Sequence, residues 1–272
     1  MSDYPALSSR LRDRVLQYLG CAAAEPSLPA LEQLLAAYVR RVPWESVFRI
    51  AKRQRVAVLA ERPRWPEEFW ADALERGGGG TCFESNYAFL SLLRGLGYTG
   101  YLTINNMGAT IGCHTAIVVP LANEQRLVDV GIPLHTTLLL RPDTVTQAPS
   151  QFHTYIARPE GDNSYQIERT HHPKRYIYTL IDQPVPDAMY RAAMIQDYDE
   201  AGLFLDRLII TLVIDDKVWR FNGSEQPLRL EAFEREGKIE VLLPELLLAR
   251  RLATHFHMDR LTLQQALDAL RA

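Results

Sequence analysis

Residues 77–86 read Gly77-Gly78-Gly79-Gly80-Thr81-Cys82-Phe83-Glu84-Ser85-Asn86. Glycine offers no side chain to pack and loses the most backbone freedom on folding, so a run of four marks a chain path that other residues cannot follow. Directly behind it the spacing turns helical. Phe83, Tyr87, Leu90, Leu93 and Leu96 fall on one face, and Gly97 stands where a C-terminal cap belongs. The pattern predicts a buried helix with Cys82 in its first turn. The unpaired N–H groups and partial positive charge of such a helix start favour thiolate over thiol. Together with a cationic neighbour they lower a cysteine from about 8.5 to roughly 3.5–7.5. A buried structural cysteine is the alternative, and the glycines favour the reactive one.

Upstream of this stretch the chain reads as helices. Leu7, Leu11, Val15, Leu16 and Leu19 share a face, and Leu31, Leu34, Leu35, Tyr38 and Val39 form a second stripe that Ser27 caps and Pro43 ends. A third helix opens at Pro66 and carries Phe69, Trp70 and Leu74 to the glycines. No strand pattern occurs before Tyr98. Downstream, residues 101–105, 114–120, 126–131, 165–169 and 176–181 are short alternating runs separated by Gly, Pro, Asn and Asp. Residues 203–214 and 217–221 read as strands joined at Asp215-Asp216, and 244–256 and 262–270 as amphipathic helices. Helices followed by a block of strands predict an α+β chain, a helical bundle packed on a small antiparallel sheet or barrel.

The chain has 272 residues, 47% of them hydrophobic, enough for a sizeable core. A net charge of −3 leaves no electrostatic footprint for nucleic acid or acidic lipid. Cys21, Cys82 and Cys113 are odd in number and lack CxxC spacing, which argues against a disulfide framework and fits a reducing, cytoplasmic setting. The charged N-terminal stretch does not read as a secretory signal, and every apolar run is too short to span a membrane.

Two further residues stand in unusual settings. His114 opens the apolar run Cys113-His114-Thr115-Ala116-Ile117-Val118-Val119, and Asp129 lies within Arg126-Leu127-Val128-Asp129-Val130-Gly131-Ile132. A buried carboxylate or imidazole needs a partner, and adjacent strands place the two side by side. Two separately satisfied core groups are the alternative. With Cys82 they make a nucleophile, a base and an orienting carboxylate. Backbone N–H groups of Cys82, Thr103 and Ile104 are the candidate oxyanion donors. A metal site is disfavoured, because Cys113 and His114 point to opposite faces of a strand. His171-His172 reads as loop surface, and His255 and His257 as groups near a helix end. The glycine run lacks the Lys-Ser/Thr ending of a phosphate-binding loop.

On these residues the chain resembles the arylamine N-acetyltransferase family. Arg41-Val42-Pro43-Trp44-Glu45-Ser46 is similar to the family's Ile-Pro-Phe-Glu-Asn segment, and residues 78–86 to its Arg-Gly-Gly-x-Cys-Phe-Glu-x-Asn motif. Cys113-His114-Thr115 and Val128-Asp129-Val130-Gly131 resemble the segments that hold its histidine and aspartate, and Arg175-Tyr176-Ile177-Tyr178 is also similar. The resemblance implies a helical domain over 1–97 that carries the nucleophile, an antiparallel β-barrel over 98–200 that carries His114 and Asp129, and an α/β lid over 201–272. It implies a papain-like Cys82–His114–Asp129 triad, with Cys82 acetylated by acetyl-CoA as co-substrate and the acetyl group passed to an aromatic amine or hydrazine. No permanently bound cofactor or metal is implied.

The chain departs from that pattern in two places. Gly78 stands where the motif has its arginine, and Arg76, two positions upstream, is expected to reach Glu45 or Glu84 in its stead as structural support. Ile132-Pro133 replaces the family's Phe-Gly beside the acyl-donor channel. Three further readings follow from the same residues: an amide-forming transferase with another donor and acceptor, a thiol hydrolase, and a non-catalytic binding relative.

Overall fold

The computed structural model describes residues 4–170, 172, 174–234 and 237–271. His171 lies outside them. The first helices form where the apolar stripes lie. Helix α1 (Ser9–Leu19) is capped by Ser8, whose side chain accepts from Leu11 N, and it ends at Gly20 with φ +71°. Helix α2 (Leu28–Arg41) starts at the Ser27 cap and stops ahead of Pro43. A two-residue strand β1 (Trp44–Glu45) and helix α3 (Val47–Arg55) follow, then α4 (Pro66–Arg76), which ends at Gly77 with φ +64°. Helix α5 (Cys82–Gly95) is buried without a break from Cys82 to Leu93, so it is the axis around which α1, α2 and α4 pack.

Eight strands come next: β2 (Tyr101–Met107), β3 (Thr110–Leu121), β4 (Glu124–Val128), β5 (Leu138–Leu140), β6 (Thr146–Pro149), β7 (Thr154–Gly161), β8 (Ser164–Arg169) and β9 (Tyr176–Ile181). They pair in the order β5-β4-β3-β2-β9-β8-β7-β6, all antiparallel. β5 lies against β6 and β7, which brings the two ends of the sheet together as a nearly closed barrel filled by Leu127, Leu138, Ile167, Tyr178 and Leu180.

Helix α6 (Asp187–Gln196) leads to a second sheet of β1, β10 (Ile209–Ile214), β11 (Lys217–Asn222), β12 (Arg229–Phe233) and β13 (Lys238–Leu242), in that order. The turn between β10 and β11 is Asp215-Asp216, with φ +48° and +56°, the left-handed pair that a two-residue hairpin needs. Helices α7 (Leu248–Phe256) and α8 (Arg260–Ala269) cover one face of this sheet. Val47, Phe48, Ile50 and Ala51 of α3 belong to the same core, so the N-terminal segment supplies both an edge strand and a helix to the C-terminal layer.

The architecture is the α+β arrangement expected from the sequence, with local differences. β1 is the strand that the first hundred residues conceal, because two residues display no period. β10 begins at Ile209 rather than Leu203, since Phe204 has φ +59° and leaves the extended region. β4 ends at Val128, so Asp129 sits at the strand's exit instead of within it. Among the described residues no helix is long and apolar enough to cross a membrane.

Candidate active site

The glycines before Cys82 are required by close approaches. A Cβ on Gly79 would stand 1.7 Å from Pro43 O, and one on Gly78 would stand 2.9 Å from the Phe48 ring. The backbone here is tied to Glu45, which accepts from Gly79 N at 3.0 Å and from Phe48 N at 2.9 Å. Arg64, fully buried, holds the other side. It donates to Gly79 O at 2.6 Å and forks onto Glu84 at 2.5 and 3.1 Å, with Asp72 at 3.2 Å and Glu45 at 3.8 Å. Burial raises the Glu84 carboxyl, and Arg64, Arg49 and the Tyr198 hydroxyl together more than reverse this, leaving it below its usual range. Burial outweighs Arg64 at Glu45, which titrates above its usual range.

This corrects the expectation for Arg76. Its guanidinium pairs with Asp72 one turn back on α4 and reaches neither Glu45 nor Glu84. Arg64 fills that role from the segment ahead of α4, while the Phe48 ring occupies the space that a side chain at residue 78 would need.

Cys82 begins α5 and is 7% exposed. Thr115 Oγ1 donates to Cys82 O at 2.9 Å, and Cys82 Sγ lies 3.7 Å from Cys113 O. His114 is next along β3, and its Nε2 is 2.7 Å from Asp129 Oδ2. That pairing commits Nε2, so proton exchange between His114 and a thiol runs through Nδ1. The imidazole also packs on Tyr178, with ring centroids 4.4 Å apart. The second Asp129 oxygen accepts from Gly131 N at 2.8 Å, Ile132 N at 3.1 Å and Asn86 Nδ2 at 3.2 Å. Asn86 lies one turn after Cys82 and also accepts from Val130 N at 3.0 Å, which fastens the nucleophile helix to the aspartate loop. Gly131 abuts the cysteine itself, for an added Cβ would stand 2.5 Å from Cys82 Cα and Cβ. Cys82, His114 and Asp129 therefore share one buried cluster. Thr103 and Ile104 lie opposite Ala116 and Thr115 in the β2–β3 ladder, one strand beyond the contact with Cys82.

The electrostatics differ from the lowered thiol expected at a helix start. Burial pushes the Cys82 thiol up, the Asp197 and Asp129 charges push the same way, and Arg49 opposes them. Arg49 is 1% exposed. It donates to Thr81 Oγ1 at 2.5 Å and pairs with Asp197 at 2.8 Å, with its guanidinium 4.7 Å from the Tyr198 ring centre. Thr81 Oγ1 accepts this bond and does not cap α5, and the first helical bond is Ser85 N to Thr81 O. An anion on sulfur in this setting requires a cation formed beside it.

A cleft of about 630 Å³ runs from Gly131, Ile132 and Pro133 between the barrel and the second sheet. Its walls carry Trp44, Phe152 and Phe233 together with Arg169, Lys174 and Arg220. A larger groove of about 790 Å³ between α7 and α8 shares no residue with it. Among the described residues no group of three or more His, Cys, Asp or Glu side chains is arranged to hold a metal.

The chain matches the family model described as N-acetyltransferase over residues 27–241. It belongs to the arylamine N-acetyltransferase family. Solved structures share its fold. The arylamine N-acetyltransferase of Mycobacterium marinum in complex with CoA is 20% identical, with 95% of this chain and 98% of that chain covered and a TM-score of 0.79. That of Salmonella typhimurium is 18% identical, with 97% and 99% covered and a TM-score of 0.80. A Bacillus cereus enzyme described as having a Cys-His-Glu catalytic triad is 16% identical, with 93% and 100% covered and a TM-score of 0.76. No curated protein sequence matches the chain.

Within this family member, sequence reasoning located the three polar residues but missed much of what holds them. Arg64 has no motif around it. Thr115, Asn86 and Tyr190, whose hydroxyl lies 2.9 Å from Phe83 O and 3.1 Å from Thr115 Oγ1, are ordinary polar residues on apolar elements. Asn86 and Thr115 carried a signal only as the end residues of the cysteine and histidine stretches.

Proposed function

We propose that the protein is an acyltransferase in which Cys82 takes an acetyl group from acetyl-CoA and passes it to an aromatic amine or hydrazine. The observation that carries this reading is the 2.7 Å contact between His114 Nε2 and Asp129 Oδ2, with Cys82 held against the same loop through Gly131. His114 takes the thiol proton on Nδ1, and Asp129 stabilises the imidazolium from the far side. The sulfur attacks the thioester carbonyl, the C–S bond to CoA breaks, and the CoA sulfur leaves with the proton from His114. The acceptor amine then attacks the acetyl-cysteine carbonyl and gives its proton to His114, and cleavage of the C–S bond to Cys82 restores the thiol. The Cys82 N–H is the first candidate oxyanion donor, and the Thr103–Ile104 backbone the second.

Acetyl-CoA as donor is supported by the CoA complex of the Mycobacterium marinum relative and by the cleft chemistry. Arg169, Lys174 and Arg220 suit phosphate groups, and Trp44, Phe152 and Phe233 suit the rest of the carrier. The test is intact mass after incubation with acetyl-CoA. One added acetyl group, lost in Cys82→Ala, is expected. No adduct, or an adduct that persists in Cys82→Ala, rejects the nucleophile. Deacylation by water as fast as by amine identifies a hydrolase instead.

A further inference from the structure

The second sheet ends in an open edge. β13 pairs with β12 from Arg229↔Leu242 to Phe233↔Lys238 and, among the described residues, with no other strand. All five of its residues are exposed, so the outer row of main-chain N–H and C=O groups faces water. Leu230, the partner of Val241, lies in the core beneath α7 and α8, and Ala232, the partner of Ile239, is buried on the same face. Ile239 and Val241 point to that same face, yet they are 40% and 44% exposed. Leu242 on the opposite face, and Leu246 and Leu247 just beyond the strand, are exposed as well. Five of the twelve exposed large hydrophobic side chains among the described residues thus fall within residues 239–247.

The opposite face of the strand carries Lys238 and Glu240, which contact each other at 2.5 Å and are about half exposed. Lys238 also meets Glu231 at 2.8 Å, and Glu240 meets Arg229 at 3.6 Å. Charged side chains blunt an edge, and most so where an incoming copy meets them with the same sign. β13 instead carries one charge of each sign, two residues apart. In an antiparallel pair with its two-fold axis at Ile239, Lys238 of each copy faces Glu240 of the other, and Ile239 faces Ile239. Moving the axis to Glu240 would set glutamate against glutamate, which is destabilising.

We propose that β13 is a self-complementary interface through which two copies of this chain pair antiparallel about Ile239. The two second sheets join into one continuous sheet, the free edge is satisfied, and Ile239 and Val241 are brought against the partner copy. Phe233 and Glu234 adjoin β13 and also line the cleft, so the paired copy stands beside the cleft mouth.

Sedimentation velocity over a wide concentration range gives the test. A reversible monomer–dimer equilibrium is expected, with Lys238→Glu monomeric and the charge-swapped Lys238→Glu/Glu240→Lys dimeric again. Ile239→Cys reads the register even if the charge variants fold poorly, because Ile239 is exposed in the single chain. Under mild oxidation it is expected to cross-link to a dimer well above the unsubstituted protein, whereas Val241→Cys, which faces Gly237 of the other copy in this register, is expected not to. A monomer at every concentration overturns the proposal. So does a Lys238→Glu dimer of unchanged affinity, or equal cross-linking at 239 and 241.

Discussion

His114 and Asp129 meet at 2.7 Å with both side chains out of solvent, and the carboxylate needs no metal or arginine to stay there. Gly131 N, Ile132 N and Asn86 Nδ2 supply its other oxygen with donors. Asp129→Asn keeps the shape but turns one acceptor oxygen into a donor facing other donors. By analogy with the loss of the orienting carboxylate in a Ser-His-Asp triad, transfer is expected to fall about a thousandfold or more. Single-turnover acetylation measures this, and CoA affinity is expected to stay near the parent value.

Arg64 and Arg76 differ in what they hold. Arg64→Met leaves the buried Glu84 without its cation and takes one partner each from Asp72 and Glu45, and a loss of about 3–5 kcal/mol of stability is expected in chemical denaturation. Arg76→Ala removes a third-exposed partner of Asp72, and a loss of about 1 kcal/mol or less is expected. Equal effects would contradict the assignment of the supporting role to Arg64.

Gly131 leaves no room for a methyl group. In Gly131→Ala the added carbon would stand 2.5 Å from Cys82 and 2.6 Å from Asn86 Nδ2. The loop must withdraw from the nucleophile helix, so the rate of Cys82 acetylation is expected to drop at least tenfold while the fold survives at a cost of about 1–3 kcal/mol. Stopped-flow acylation and thermal melting separate the two effects.

The thiol gives a pH signature. Burial, then Asp197 and Asp129, raise Cys82 in the folded chain, with Arg49 opposing. A raised acid favours the neutral form, so its contribution to stability is complete below the ordinary thiol range, about 8.5, and is lost as pH rises from there toward the folded value. The stability of the parent protein relative to Cys82→Ala is therefore expected to decline above about pH 8.5, as urea denaturation can follow. Arg49→Met removes a cation that opposes the shift, so alkylation of Cys82 by iodoacetamide is expected to need higher pH, with Arg49→Lys restoring part of the profile.

The cleft cations discriminate between donors. Arg220→Ala and Lys174→Ala are expected to raise KM for acetyl-CoA severalfold, more at low salt than at high, because salt already screens the attraction that these charges supply. Turnover of p-nitrophenyl acetate, which has no phosphate, is expected to change little. Parallel losses with both donors would place these residues in the fold rather than the donor site.

Legibility in the sequence followed how a residue's environment is encoded. His114 and Asp129 stood out because an ionisable group inside a run of Val, Leu and Ile demands a partner, and Cys82 because glycines rarely cluster for packing. Helix α3 was missed because Arg49 and Lys52 interrupt its apolar stripe, and both turn out to be buried through ion pairs and hydrogen bonds. β7 was hidden by Pro159 at its register shift, and β13 by having no buried face at all. Arg64 left no trace, since it lies in an irregular segment and meets Glu84 twenty residues away. Local pattern reports which face is buried, whereas a cation's reach across the core is settled by tertiary packing alone.

The guanidinium at residue 64 has one further implication for how such chains diverge. Because the charge that steadies Glu84 and the Gly79 carbonyl enters from another segment, the loop ahead of the nucleophile is released from supplying it and is free to lengthen or turn to glycine. A search keyed to the arginine column of an alignment would pass over members built this way. In this chain the cation comes from the stretch ahead of α4, and the residues beside the nucleophile answer only for the path of the backbone.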